Sequence, residues 1–290
     1  MASIGNASDS RPSINVDVED ALAAAVMFSV SLVEFLANLP VLLQLSSLPS
    51  MRGGSFARLS TSMALSDCVA LLGWGLYCSL MTLTHSPITN TRVGLALSQV
   101  HFTCWFCTVY SILAIAVNRL VAIGWPAAYD QLFSTANTNR CVVFCWAASL
   151  LHVTVYLFPG CTCVYNSHTY GWAFGDTACG TALGYLLSAH ASLIGLAVMA
   201  INISAWLLLR QDNATAALEA TKAATAKFQE GLGGSAMSAS RHRRRRRQRS
   251  QLFLITVLNG AAFQLAVVGW MVLAQLFSHP WLQSSLPPAP

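Results

Sequence analysis

The chain has 290 residues, of which 55% are hydrophobic and only 9% charged, with a formal net charge of +5. Soluble domains carry about 25% charged residues. The composition therefore excludes an ordinary soluble domain and indicates a membrane protein.

The charges are also clustered. None lies between Arg140 and Asp176, between Asp176 and Arg210, or after Arg249. Gaps of that length can each supply the ~20 apolar residues of a bilayer-spanning helix. The first twenty residues are polar and include Asp9, Asp17, Glu19 and Asp20, unlike a cleavable signal peptide. The first hydrophobic segment must then direct insertion itself.

Six hydrophobic spans follow in order, at residues 21–45, 57–83, 93–123, 139–158, 180–209 and 250–277. They lack strand-like alternation and are too long for barrel strands, which leaves an all-α membrane bundle. Two connections are long: residues 159–179, rich in Cys, Gly, Tyr and Trp, and residues 210–249, rich in Ala, Thr and Arg. No internal repeat is visible, which weakens a transporter built from duplicated halves.

Basic residues set the expected orientation. With the N-terminus outside, fourteen of the sixteen Lys and Arg residues fall on the inner side, leaving Arg11 and Arg92 outside. The positive-inside rule favours that topology. It makes residues 1–20 an extracellular tail carrying the sequon Asn6-Ala7-Ser8, and residues 278–290 a short outer tail. Residues 159–179 become an outer loop and residues 210–249 a cytoplasmic one. The run Arg241–Arg249 stands immediately before the sixth span. It is expected to anchor topology and attract anionic inner-leaflet lipid, and its tether to a span argues against nucleic acid as a partner.

Polar residues inside the spans need a reason, because a charge at mid-bilayer costs about 2.5–3.5 kcal/mol on insertion scales. Asp67 in the second span is the clearest case. Its plainest reading is a carboxyl facing the bundle; the functional one is a switch or cation site. Glu34 lies in the first span, one helical turn before Asn38. Arg119 ends the apolar run SILAIAVNRLVAIGWP and, taken alone, is a snorkelling arginine.

Its surroundings add to that reading. The run SILAIAVNRLVAIGWPAAYDQLFS resembles the third helix and second inner loop of rhodopsin-like seven-helix receptors, with Asn118-Arg119-Leu120 in place of Asp-Arg-Tyr. The Asn-Arg pair, the following Ala-Ile, Pro, Tyr and Phe-Ser, and the loop PGCTCVYNSHTYGWAFGDTACG resemble the nematode serpentine chemoreceptors of the Srx class. Ala37-Asn38 with Val41, and Leu65-Ser66-Asp67, are similar to the first- and second-helix signatures of the same superfamily. The resemblance covers about residues 20–277.

It implies a seven-helix-receptor-like bundle, six helices of which are in this sequence, lying in the plasma membrane and coupling to a heterotrimeric G protein. Asn118, Arg119 and Leu120 would form the coupling motif, with Arg119 exchanging partners at the water boundary. Asn118 cannot make the local ion pair of an aspartate, so its expected restraint on Arg119 is weaker. Asn38, Asp67 and Thr108 would line an internal polar site. His101, Phe102 and Trp105 occupy the part of the third helix that meets ligand in such receptors, and the spacing 101, 105, 108 keeps one helical face. Aromatics on a membrane helix are more often packing, and that reading stands beside the first. His190 and Trp270 are further ligand candidates.

The superfamily's common disulfide needs a Cys near the start of span three, where the sequence reads Val93-Gly94-Leu95. A bridge within the outer loop is expected instead, Cys161 or Cys163 with Cys179, in an oxidising compartment. After the sixth span the sequence reads SHPWLQSSLPPAP, with no seventh helix. The expectation is a truncated or incomplete receptor, against a true six-span protein with both termini outside.

A channel or transporter using Glu34 and Asp67 is the alternative function. An intramembrane enzyme is disfavoured: there is no Gly-x-Ser-Gly turn and no His-Glu-x-x-His metal site, and His152 and His190 lack acidic neighbours. No catalytic residue, metal ligand or cofactor is therefore assigned.

Overall fold

In a computed structural model, the structure describes residues 17–47 and 54–229. The sixth span, Trp270, the run Arg241–Arg249, Asn6 and the tail 278–290 lie outside the described residues. Five helices are long and apolar enough to cross a membrane: Val18–Leu43, Ser55–Thr84, Arg92–Gly124, Thr135–Leu157 and Ala178–Asp212. Each falls within a few residues of its hydropathic segment. The chain is an all-α, multi-pass membrane protein.

Helix α1 runs Val18–Ser47, with Glu19 and Asp20 in its first turn, where the helix dipole favours acids. The second span is not one regular helix. It comprises α2 (Ser55–Leu72), a π-helical turn over Gly73–Cys78, and α3 (Ser79–Thr84). His85 ends it in the left-handed conformation, φ 44°. Helix α4 (Arg92–Gly124) has 33 residues and so extends ~50 Å, well beyond a ~30 Å hydrocarbon core. Its last residues therefore reach past the apolar layer. Trp125 interrupts the helix, and Pro126 opens the short α5 (Pro126–Leu132), since proline suits a first helical turn. Helix α6 (Thr135–Thr154) leads through a single turn of 3-10 helix to the long connection.

That connection is a β-hairpin. Strands β1 (Cys163–Asn166) and β2 (Gly171–Phe174) pair antiparallel, with Cys163 opposite Phe174 and Tyr165 opposite Trp172. Residues directly opposite share a face, so Tyr165 and Trp172 project together. Tyr170 turns the corner with a positive φ of 52°. Cys161 and Cys179 are bonded across the hairpin's base, and Cys163 is a buried thiol. Helix α7 follows over Ala178–Gln229, its N-terminus capped by the Thr177 hydroxyl, which accepts from the Gly180 amide at 3.0 Å.

The described chain forms two compact units. The hairpin unit holds residues up to Ser47, Ala64–Cys107 and Trp146–Thr181. Its core is Met27, Cys78, Met81 and Tyr165, with Trp74, Tyr77, Tyr170 and Trp172 packed against it. Gly75 is required there, because a Cβ would come within 2.6 Å of the Ser31 Cβ. The Tyr165 hydroxyl is 2.6 Å from the Thr82 Oγ1 and donates to the Met27 sulfur at 3.6 Å. Ser98 donates to the Cys163 carbonyl at 2.6 Å. At the tip, His85 Nε2 meets the Asp20 carboxylate at 2.7 Å, while the Tyr170 hydroxyl donates to its other oxygen at 3.0 Å. Tyr165 and Tyr170 thus tie the hairpin to the second span and to α1, and the His85–Asp20 contact ties α1 to the end of the second span.

The second unit holds the described residues from Gly54 to Met63, Thr108–Cys145 and the described residues from Ala182 onward. Arg58 donates to the Asn139 carbonyl oxygen at 2.8 Å, joining α2 to α6. A Cβ at Gly124 would sit 3.1 Å from the Leu208 side chain, so α4 and α7 pass closely.

Burial pushes the Tyr165 phenol up to about 12, and burial followed by the neighbouring Asp20 carboxylate does the same for Tyr170. Both phenols are neutral when protonated and hold their proton more tightly folded than unfolded. Their contribution to stability is therefore complete below about pH 10, the unfolded value, and is lost as the pH rises through about 12. Spectrophotometric titration at the phenolate band should place Tyr165 and Tyr170 among the late-titrating tyrosines. Tyr165→Phe should remove one late titration and lower stability by about 1 kcal/mol.

Candidate functional site

Two sets of residues compose the candidate site, one in each unit, and each is described alone.

In the second unit, Asn118 is almost fully buried, at 2% exposure. Its amide donates to the Ser55 hydroxyl at 2.9 Å and to the Tyr129 hydroxyl at 3.4 Å, and those hydroxyls are 2.6 Å apart. The triad joins the start of α2, the end of α4 and the helix α5. It forms because Pro126 turns the chain back within three residues of Tyr129. Arg119, the next residue, is half-buried, with its guanidinium carbon 4.9 Å from the centre of the Phe56 ring. A cation over a ring face is attracted by about 0.5–1 kcal/mol at an exposed site. Phe56 is 39% exposed, so the lower part of that range applies. Leu120 is half-buried beside it.

The sequence suggested that Asn118 would restrain Arg119 only weakly. Asn118 faces the Ser55–Tyr129 pair, and Phe56 covers the arginine. Ser55 and Phe56 were not singled out from the sequence. Tyr129 appeared only as one letter of a family-like run.

In the hairpin unit, His101 and Phe102 are buried and Trp105 half-buried. The rings of Phe102 and Trp105 meet edge to face at 6.5 Å. The His101 Nδ1–H points to the Ala70 carbonyl at 3.3 Å, just before the π-helical turn. A Cβ at Gly73 would lie 3.3 Å from that nitrogen, so the small residue lets the imidazole settle against the helix. Trp172 stacks on His101 with centroids 4.7 Å apart, and on Tyr77 at 6.2 Å. Trp74 stacks on His101 at 6.2 Å. The result is a box of rings contributed by the second span, α4 and β2. The sequence pointed to its α4 wall and missed Trp74 and Tyr77, although GWGLYC, with two glycines around a tryptophan, hints at close helix contacts.

His190 is in the second unit, with Nε2 3.4 Å from the Tyr110 hydroxyl. Asn38 donates to the Glu34 carbonyl one turn back at 3.1 Å. Glu34 is exposed on α1, Asp67 is half-buried in α2, and Thr108 is buried on α4. Among the described residues, no group of three or more His, Cys, Asp or Glu is placed to hold a metal ion.

Among the described residues, five helices able to cross a membrane, a disulfide-closed hairpin against a box of rings and an arginine near the end of the third span define a polytopic helical membrane protein of receptor type. The family model for serpentine type 7TM GPCR chemoreceptor Srx matches residues 28–286. The chain belongs to that family. It is also similar to serpentine receptor class X 45 of Caenorhabditis elegans, 27% identical over 128 residues, which is 43% of this chain and 35% of the relative. The chain thus matches about a third of that relative's length.

If the triad acts as a unit, Asn118→Ala and Tyr129→Phe should be non-additive. A double-mutant cycle read by thermal unfolding in detergent should give a coupling energy of about 0.5–1.5 kcal/mol. A value near zero would show that the two side chains act separately.

Proposed function

We propose that the protein is a chemosensory receptor of the plasma membrane. It takes a small external molecule at the hairpin end and signals to a heterotrimeric G protein through Asn118, Arg119 and Leu120. The observation that carries this reading is the state of Arg119. Its guanidinium carbon lies 4.9 Å from the centre of the Phe56 ring, near the end of a helix of 33 residues. The planar fork of guanidinium donors suits a carbonyl or carboxylate of a partner at the water boundary.

The reading places the N-terminal tail, the hairpin and residues 278–290 outside, and residues 210–249 inside. It assigns the basic run Arg241–Arg249 to anionic lipid of the inner leaflet. The rings around His101 supply the ligand wall. Asn38, Asp67 and Thr108 remain the proposed internal polar site.

Arg119→Ala should abolish ligand-independent and ligand-driven G-protein activation, read by nucleotide exchange, while surface expression stays near wild type. Unchanged exchange with normal surface expression would remove Arg119 from the coupling role. An N-terminal epitope stained on intact cells tests the orientation in the same preparation.

A further inference from the structure

The ring box is already occupied, and the occupant belongs to the chain. Trp172 stands between His101 and Tyr77, nearly parallel to both, with interplanar angles of 20° and 27°. Phe102 at 5.5 Å and Tyr165 at 5.7 Å close the edges of the indole. That is how an aromatic pocket holds a flat guest: faces on two sides, ring edges on the others.

The fit is good for the ring and poor for its polar atom. The Trp172 Nε1 and the Tyr77 hydroxyl are both buried, and neither has a hydrogen-bond partner among the described residues. Both can donate. Buried donors without acceptors are costly, so the slot accommodates the indole's shape while leaving two donors unmet. Trp172 lies on a four-residue strand, β2, at the edge of the two-stranded hairpin.

We propose that the slot between Tyr77 and His101 is a binding site for a planar, uncharged heteroaromatic molecule bearing a hydrogen-bond acceptor. Trp172 is its tethered stand-in. This deepens the chemoreceptor reading by naming a ligand class, and it rests on that reading. A guest of indole size replaces the stacking that Trp172 supplies, and its acceptor satisfies the Tyr77 hydroxyl. Among the rings that contact Trp172 no side chain is acidic or carries a fixed positive charge, so an ionised ligand would lose hydration without gaining a counter-charge.

The test empties the slot and refills it. In the full chain, purified in detergent, Trp172→Ala should lower the unfolding midpoint by on the order of 10 °C. The midpoint is read by a thiol dye reacting with the buried Cys78, Cys107 and Cys163 as the fold opens. Free quinoline, a planar uncharged two-ring molecule with one acceptor nitrogen, should restore at least half of that loss, while moving the wild type by less than about 1 °C. Quinoline-4-carboxylate should need a concentration at least tenfold higher for the same shift. Adding His101→Ala to Trp172→Ala should remove the rescue.

If Trp172→Ala is too unstable to purify, its surface amount in cells grown with quinoline provides the second measurement, and should rise at least twofold. No rescue in either assay while Trp172→Phe remains at wild-type levels overturns the proposal, as do equal shifts in wild type and variant or a rescue that survives His101→Ala. None of these outcomes depends on nucleotide exchange, so failure here and failure of the Arg119 experiment are told apart.

Discussion

A hydroxyl or amide taken out of water has to find its partner within the protein, and in a bilayer there is no other supply. That constraint shapes both units. Thr61, Thr82, Thr84, Thr103 and Ser204 return a hydrogen bond to the carbonyl four residues earlier, which lets polar side chains lie within apolar helices. Where a hydroxyl does more, it joins elements. Thr82 also meets Tyr165 and fixes the hairpin to the second span. Ser55 meets both Tyr129 and Asn118 and fixes α2 to α4 and α5. The Thr82–Tyr165 and Asn118–Ser55 contacts are buried, so water cannot readily replace the missing partner if one member is lost.

The two units differ in how they treat charge. In the hairpin unit a histidine and a carboxylate are in contact, Asp20 with His85, and a tyrosine shares the carboxylate. In the second unit Arg119 lies over a phenyl ring and Arg58 donates to the side-chain amide of Asn139. A paired carboxylate holds its partner firmly, because separation strands a charge.

The spans were legible in the sequence because twenty-odd apolar residues between charges admit one physical solution. Family-like runs also directed attention to Asn118, Arg119 and His101, since local spacing survives in a one-dimensional record. The contacts of those residues were not legible. Phe56 and Ser55 lie more than sixty positions before Arg119 and Asn118, and only the folded chain brings them together. The π-helical turn at Gly73–Cys78 rotates everything after it by a fraction of a turn, and hydropathy is blind to such a rotation. Trp74 and Tyr77 therefore read as ordinary apolar letters. The hairpin was hidden for another reason: strands of four residues, with small and aromatic residues mixed, give no clear alternation.

Helix α7 has a mechanical consequence. It runs unbroken for 52 residues, to Gln229, whereas its membrane-crossing stretch ends at Asp212. The remainder projects ~25 Å as a rigid rod. A rod of that length converts angle into distance: a tilt of about 10° at its base sweeps the tip ~4 Å, from a 1.5 Å rise per residue. Small rotations of the fifth span are thereby enlarged before they reach anything attached beyond it.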